Sequence, residues 1–452
     1  MNRIFTSQGF RFYQSSFDDD GKGSWLTVNY DPWGTGVTYA GYILLGLSMI
    51  WLLFSRSSDF RRLLNHPLLK KGGVFILFIF CLAGNMQAQK KLLPALKQTQ
   101  ADSLAQEQVI YHDRVVPFNT LARDFIQKLT GEASYKGLTP EQVIGGWLLY
   151  PEVWRNEPLI YIKNTELQHL LNLQTPYARL TDLFDGSVYR LREHWQREQG
   201  QQNKLAKAIQ ETDEKVGLIL MLEKGTFIHP LPTDGSVQPL SELEVKAELL
   251  YNRIPFSKIL FMINLSLGVL SFLLLLHNSL QRNILSPKAK TISRTAGTFF
   301  SVALYLAFIF HLAGYCLRWY IGGRIPLSNG YETMQFMALC ILLIACLLHR
   351  RFSFILPFGF LLSGFALLVS YLGQMNPQIT PLMPVLVSPW LSIHVSLIMM
   401  SYALLAFIML NGILALCLRK KESENNVSGN DAIQDNRIEQ LTLVSRLLLY
   451  PA

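Results

Sequence analysis

Nine histidines occur in the 452 residues, and one of them, His394, sits just inside a long apolar run within Ser388–Met400, SPWLSIHVSLIMM. Imidazole is a standard iron ligand, and an ionisable ring at the mouth of a membrane helix is costly to keep there, so it reads as a functional group. On helical geometry Trp390 lies one turn before His394 on the same face, so both would meet the edge of a flat ligand resting at the interface. The plain alternative is an interfacial pair, because Trp and His are both common at membrane boundaries. His311 is a second intramembrane ring, near the middle of another apolar run. It reads either as a polar helix-packing contact or as a site along a haem or proton path. The stretch RWYIGGRIPLSNGYE, Arg318–Glu332, reads as an outside loop. Trp319 and Tyr320 suit an aromatic belt, Gly322-Gly323 and Pro326 a turn, and Asn329 with Glu332 an N-cap and its reciprocal carboxylate. Arg324 is expected to be an exposed cation there, either solvated or lipid-facing, or suited to a haem propionate.

The elements that must position these side chains are membrane helices. Half of the residues are hydrophobic, and apolar runs of about 15–25 residues, long enough to cross a bilayer core, number about seven. They are Val37–Phe54, Gly73–Met86, Ile259–Leu276, Thr295–Cys316, Thr333–Leu348, Phe354–Leu372 and Leu391–Leu418. The expected fold class is mainly α: a polytopic α-helical membrane protein with a short N-terminal β hairpin and an extracytoplasmic, mixed but mainly α domain. The net charge of +9 could suggest nucleic acid, but Gln87–Arg253 holds 19 Lys and Arg against 21 Asp and Glu, so the excess lies beside the membrane runs. Every second connection is basic, at Arg56–Lys71, Arg282–Arg294, Arg350-Arg351 and Arg419–Lys421. The positive-inside rule places these loops in the cytoplasm and explains the charge with no nucleic acid. All five cysteines fall in apolar runs without a CxxC pair, as small buried hydrophobes rather than disulfides or thiolate ligands. No CxxCH occurs, so the chain is not itself a c-type cytochrome.

In chain order, residues 1–36 hold two alternating strands, Phe10–Phe17 and Trp25–Tyr30, around the turn DDDGKG. A lone hairpin is marginal in water, so this one is expected to complete a sheet whose other strands lie elsewhere. Residues 37–86 hold two spans and a basic loop. The second span resembles a signal sequence but is internal, and it reads as an uncleaved span that delivers residues 87–255 to the outside. In that domain Leu138-Thr139-Pro140-Glu141 starts a helix and Val188–Glu214 reads as a long charged helix. Its histidines, His112, His169, His194 and His229, lie far apart and read as solvated. Residues 256–418 form the main bundle. Its last outside connection, Gly373–Pro389, has too many prolines for helix. In residues 419–452 a charged linker, Lys420–Asn436, precedes an apolar period resuming at Ile438. The incomplete sheet at one end and this renewed period at the other are expected of a chain with material missing at both ends.

The blocks RWYIGGRIPLSNGYETMQFMALC and PVLVSPWLSIHVSLIMMSYALL resemble the CcsA/ResC component of System II cytochrome c biogenesis. The opening, GFRFYQSSFDDDGKG…VNYDPWG…YAGYILL, is similar to the C-terminal end of a ResB-type component, so the whole resembles the fused form of that system. The resemblance implies that haem b is held at an outer site between two histidines flanking a tryptophan-rich loop. It is then joined through its vinyl groups to the CxxCH thiols of apocytochrome c. His394 matches the histidine before the loop and is the implied metal ligand, with Trp390, Arg324, Trp319 and His311 as further cofactor-binding candidates. The tryptophan-rich loop and the later histidine have no counterpart in these residues. A haem lyase would therefore need completion by a following region or a second chain. Thiol-reducing membrane proteins are implied partners, and the bacterial cytoplasmic membrane is the implied location, with residues 87–255 on the periplasmic side. Two other classes compete: a non-catalytic scaffold recruiting partners through residues 87–255, and a small-molecule permease. Against the permease, the sequence shows no inverted repeat and no interrupted helix with clustered polar ligands.

Overall fold

A computed structural model describes residues 5–17, 24–31, 33–55, 93–186, 188–192, 203–232, 237–280, 287–352, 354–372, 375, 377–380, 389–418 and 429–452. The chain divides into two units, Met1–Phe80 with Pro255–Ala452, and Cys81–Ile254. The expected span Gly73–Met86, the loop at 56–72 and His194 lie outside the described residues.

The N-terminal sheet has three strands rather than the two expected, β1 (Phe5–Ser7), β2 (Phe10–Phe17) and β3 (Ser24–Asn29), antiparallel in that order. The added strand FTS is too short to show an alternation. It folds back through Gln8 and Gly9, both at positive φ, 50° and 87°, which is the geometry of a type I′ hairpin turn. Helix α1 (Gly34–Phe54) follows, with its apolar residues largely exposed.

In the second unit, α2 (Gln98–Gln106) leads to the hairpin β4 (Gln108–Tyr111) and β5 (Arg114–Pro117). Its turn residues His112 and Asp113 have φ of 50° and 58°. Helix α3 (Phe118–Thr130) buries Phe118, Leu121, Ala122, Phe125, Ile126 and Leu129, spaced to fall on one stripe, and ends at Gly131 in the left-handed conformation. As expected, Thr139 caps α4 (Pro140–Leu149), with Gln142 closing a capping box. Short elements follow: α5 (Pro151–Trp154), β6 (Ile160–Tyr161), α6 (Thr165–Leu170), β7 (Tyr177–Ala178), β8 (Phe184–Asp185) and β9 (Val188–Tyr189). The long helix expected over Val188–Glu214 is corrected. Val188–Tyr189 is a strand hairpinned to β8, and helix α7 runs Lys204–Glu223, started by the Asn203 side chain, which accepts from Ala206 N. Strand β10 (His229–Pro230) joins β4, and α8 (Glu242–Arg253) closes the unit. The core holds Trp147, Trp154 and Phe125, and both indole N–H groups find partners, Trp147 on Glu223 (3.2 Å) and Trp154 on the Pro94 carbonyl (3.0 Å).

The remaining helices are α9 (Phe256–Leu280), α10 (Pro287–Gly322), α11 (Gly330–Leu348), α12 (Ile355–Leu372), α13 (Pro389–Leu418) and α14 (Gly429–Leu449). Five described helical stretches are long and apolar enough to cross a membrane: Phe256–His277, Arg294–Gly322, Gly330–Leu348, Ile355–Leu372 and Trp390–Leu416; Gly36–Ser48 is a shorter one. The protein is a polytopic α-helical membrane protein. Helices α9 and α12 pack closely: a Cβ on Gly268 or Gly364 would come within 2.9 Å of the facing backbone, at Leu361 N and Leu265 N. Small residues let membrane helices approach this way, and Asn264 adds a hydrogen bond to Ser363 (3.1 Å). The linker expected through Asn436 is shorter, because α14 starts at Gly429 and packs on α13, burying Leu441, Val444 and Leu448.

Candidate functional site

His394 and Trp390 stand in the first two turns of α13, which opens on Pro389, a position where a missing N–H breaks no helical hydrogen bond. Both side chains are exposed, and the Trp390 ring lies 5.6 Å from Tyr39 of α1. The imidazole is therefore accessible to a ligand, with a large aromatic face one turn away.

The same end of the bundle holds a buried ionic cluster that the sequence reading divided wrongly. Helix α10 does not stop at Cys316 but continues to Gly322. Trp319 and Tyr320 are therefore exposed helix residues rather than loop residues, and Arg318 is 2% exposed. The Glu332 carboxylate, 1% exposed, accepts on Oε1 from Arg318 Nε (3.0 Å) and Nη2 (2.9 Å). Its Oε2 accepts from Arg324 Nη1 (3.0 Å), Ser328 N (2.8 Å) and Ser328 Oγ (2.7 Å). Arg324 is thus not the exposed cation expected. It is partly buried and committed to Glu332, and its Nη2 donates to the Thr380 carbonyl (2.9 Å). Arg318 donates likewise to the carbonyls of Pro377 (2.7 Å) and Gln378 (3.0 Å) and lies over the Tyr331 ring. Asn329 caps α11 as expected, accepting from Glu332 N (2.9 Å), but the carboxylate turns to the arginines and Ser328 instead of closing the box. Arg318 was the functional residue sequence reasoning missed. The available signal was its spacing from His311 and Tyr315, seven and three residues along one helix face, and all three are buried.

His311 is 2% exposed, and neither ring nitrogen has a hydrogen-bond partner among the described residues. The ring faces the main chain of Gln335 in α11, so a polar packing contact and a ligand contact both stay open to it. Nearby in α11, Gln335 donates to Ser257 (2.9 Å) and Ser370 (3.3 Å). No hydrogen bond or ring contact joins His394, His311 and Arg324 among the described residues. Cys340 and Cys346 are buried as expected, but Cys316 is exposed on the outward side of α10. In the second unit His112 lies against Tyr111 with ring centres 4.1 Å apart and the planes tilted by 58°, and burial, then Lys128, lowers its pKa. Among the described residues no group of three or more His, Cys, Asp or Glu is arranged to hold a metal.

Residues 327–449 match the family model described as cytochrome C assembly protein. The chain carries a CcsA-type cytochrome c assembly domain. That domain includes Glu332 and all of α13, with Trp390 and His394. Over 481 residues the chain is 31% identical to Protein NrfI of Wolinella succinogenes, covering 89% of this chain and 52% of that protein. It is 34% identical over 132 residues to the cytochrome c biogenesis protein CcsA of Chlamydomonas reinhardtii, 26% of this chain and 37% of that one. A match to CcsA of Prochlorococcus marinus is 38% identical over 94 residues, 20% of this chain and 30% of that one. The chain spans about half of NrfI and less of the CcsA relatives it matches.

Proposed function

We propose that the chain handles haem for cytochrome c maturation in a System II assembly, receiving haem b at the His394 end of the bundle and presenting it to CxxCH of an apocytochrome c. The observation that carries this reading is the exposed imidazole of His394, one turn after Trp390, inside the assembly domain. Haem is a flat apolar disc with a charged edge. An aromatic face beside a neutral imidazole suits both the porphyrin and its iron, and the axial partner then tunes the metal. A second histidine from outside these residues completes the pair. His311 fits a second, intramembrane contact on the haem path, because it is an imidazole buried among the bundle helices. Arg324 and Trp319 border the same end, and Arg324 would meet a propionate only by leaving Glu332 or Thr380. Catalysis is then a matter of positioning, bringing vinyl groups and cysteine thiols to attacking distance. The His394 end faces the periplasm of a bacterial cytoplasmic membrane, which places the thiol chemistry where reductant partners supply reduced CxxCH.

The test is the visible spectrum of the purified full chain loaded with haem. With one axial histidine at this site, a bound, high-spin haem Soret band is expected for the wild type, lost in His394→Ala and restored by added imidazole. An unchanged spectrum in His394→Ala removes the reading.

A further inference from the structure

The ionic cluster at this end is built to hold main chain rather than a ligand. Glu332 accepts five hydrogen bonds on its two oxygens, which saturates a carboxylate. The arginines it pairs with spend further N–H groups on the carbonyls of Pro377, Gln378 and Thr380. Two planar guanidinium forks, oriented by one buried carboxylate, therefore hold a segment whose carbonyls no helix or sheet satisfies. In sequence that segment leads to Pro389 and His394, with Pro377 inside it. Helix α11, which presents Glu332, also packs directly on α13.

We propose that Glu332 is a positioning residue for His394. By orienting Arg318 and Arg324 it clamps residues 377–380, and so sets the placement of the first turns of α13, where the imidazole must stand to reach iron. The inference rests on the reading of His394 as a haem ligand. Removing the Glu332 charge while keeping its shape leaves two arginines without their shared partner, releases the three carbonyls and lets His394 drift from its ligating position.

The experiment uses the haem-loaded full chain in nanodiscs, comparing wild type, Glu332→Gln, Arg324→Ala and His394→Ala. Hydrogen exchange over residues 375–394 reads the clamp, and the haem spectrum with its reduction midpoint reads the ligand. In Glu332→Gln, faster exchange in that segment should accompany a haem affinity lower by about tenfold, the range typical of groups that orient a metal ligand. Added imidazole should restore haem binding, as it would not in a misfolded protein. Should Glu332→Gln not be recovered as a monodisperse protein, Arg324→Ala releases Thr380 alone, and the same two changes in smaller measure are expected of it. Unchanged exchange, or faster exchange with a wild-type spectrum and midpoint, overturns the inference alone. A wild-type spectrum in His394→Ala overturns the functional reading and the role of Glu332 with it.

Discussion

Glu248 in the second unit and Glu332 in the bundle are both carboxylates buried almost completely, and they solve the same problem differently. In the second unit Glu248, on α8, is 2% exposed and meets a single arginine, Arg114 of β5, with Thr120 adding a hydrogen bond (2.7 Å). The Arg114 side chain stays 17% exposed, so water still shares its charge. In the bundle Glu332 meets two arginines, exposed 3% and 13%, and their other N–H groups are consumed by main-chain carbonyls. A charge at a membrane helix end has less water to draw on. It must therefore be answered by more protein groups, or it costs several kcal/mol. The contrast teaches that a saturated ionic node marks a place where geometry is being held, whereas a single half-hydrated pair marks ordinary packing between a helix and a hairpin.

The largest effect should come from breaking the saturated node. Glu332→Ala leaves Arg318 uncompensated in a nearly dry site and should destabilise the bundle by about 3–5 kcal/mol, read as a fall in the thermal midpoint of the full chain in detergent. Arg318→Ala should cost more than Arg324→Ala, because Arg318 is the drier of the two and makes four bonds. Equal losses would mean that the cluster is not the graded node described. Next in size, Arg114→Ala in the second unit should cost about 2–3 kcal/mol, since Glu248 keeps Thr120 and water can enter from the exposed arginine side. A loss as large as that of Glu332→Ala would erase the distinction between the units.

The helices were legible in the sequence because a membrane crossing writes a long apolar run, and Phe256–Leu280, Gly330–Leu348 and Ile355–Leu372 follow theirs to within a few residues. The cap at Asn329 and the box at Thr139 and Gln142 were legible from local spacing. What could not be read was pairing at a distance. Arg318 and Glu332 are fourteen residues apart across a turn, and the carbonyls they secure lie some sixty residues on. Nothing in the local pattern distinguishes an interfacial arginine from one that holds a loop, and a carbonyl leaves no mark in a sequence. The exposed place of His394 near the head of α13 was legible because the ring opens its own apolar run. What His311 meets was not, because it depends on what the other helices offer.

A smaller effect sharpens the comparison from the hydrated side. Glu223 of α7 accepts from Arg155 Nε (2.9 Å) and Nη2 (3.0 Å) and from the Trp147 indole. Hydrogen bonding from Arg155, then from Trp147, holds its pKa below the usual carboxylate range against the opposing cost of burial. A carboxyl with a depressed folded pKa contributes stability that is present above its unfolded pKa, near 4.5, and lost as pH falls through the folded value. The second unit should therefore lose protection in hydrogen exchange as pH is lowered below about 4.5. Since the Arg155 side chain is 40% exposed, solvent screening limits the effect to about 1 kcal/mol or less. Arg155→Met should flatten this acid dependence while leaving the bundle unchanged. A slope that survives the substitution would assign it to other carboxylates.

The smallest effect belongs to the fully hydrated limit. Lys246 and Glu242 of α8 form an i,i+4 pair at 3.1 Å with side chains 67% and 89% exposed, in the same helix that carries buried Glu248. Lys246→Ala should change the stability of the second unit by no more than about 0.5 kcal/mol, a shift that disappears in high salt because exposed charges are screened within about a nanometre. The same salt should leave the cost of Glu332→Ala untouched, since ions do not reach a carboxylate enclosed by two guanidinium groups and a serine. If salt lowered both, the node at the head of α11 would be open to solvent, and its hold on residues 377–380 would be no firmer than a surface pair.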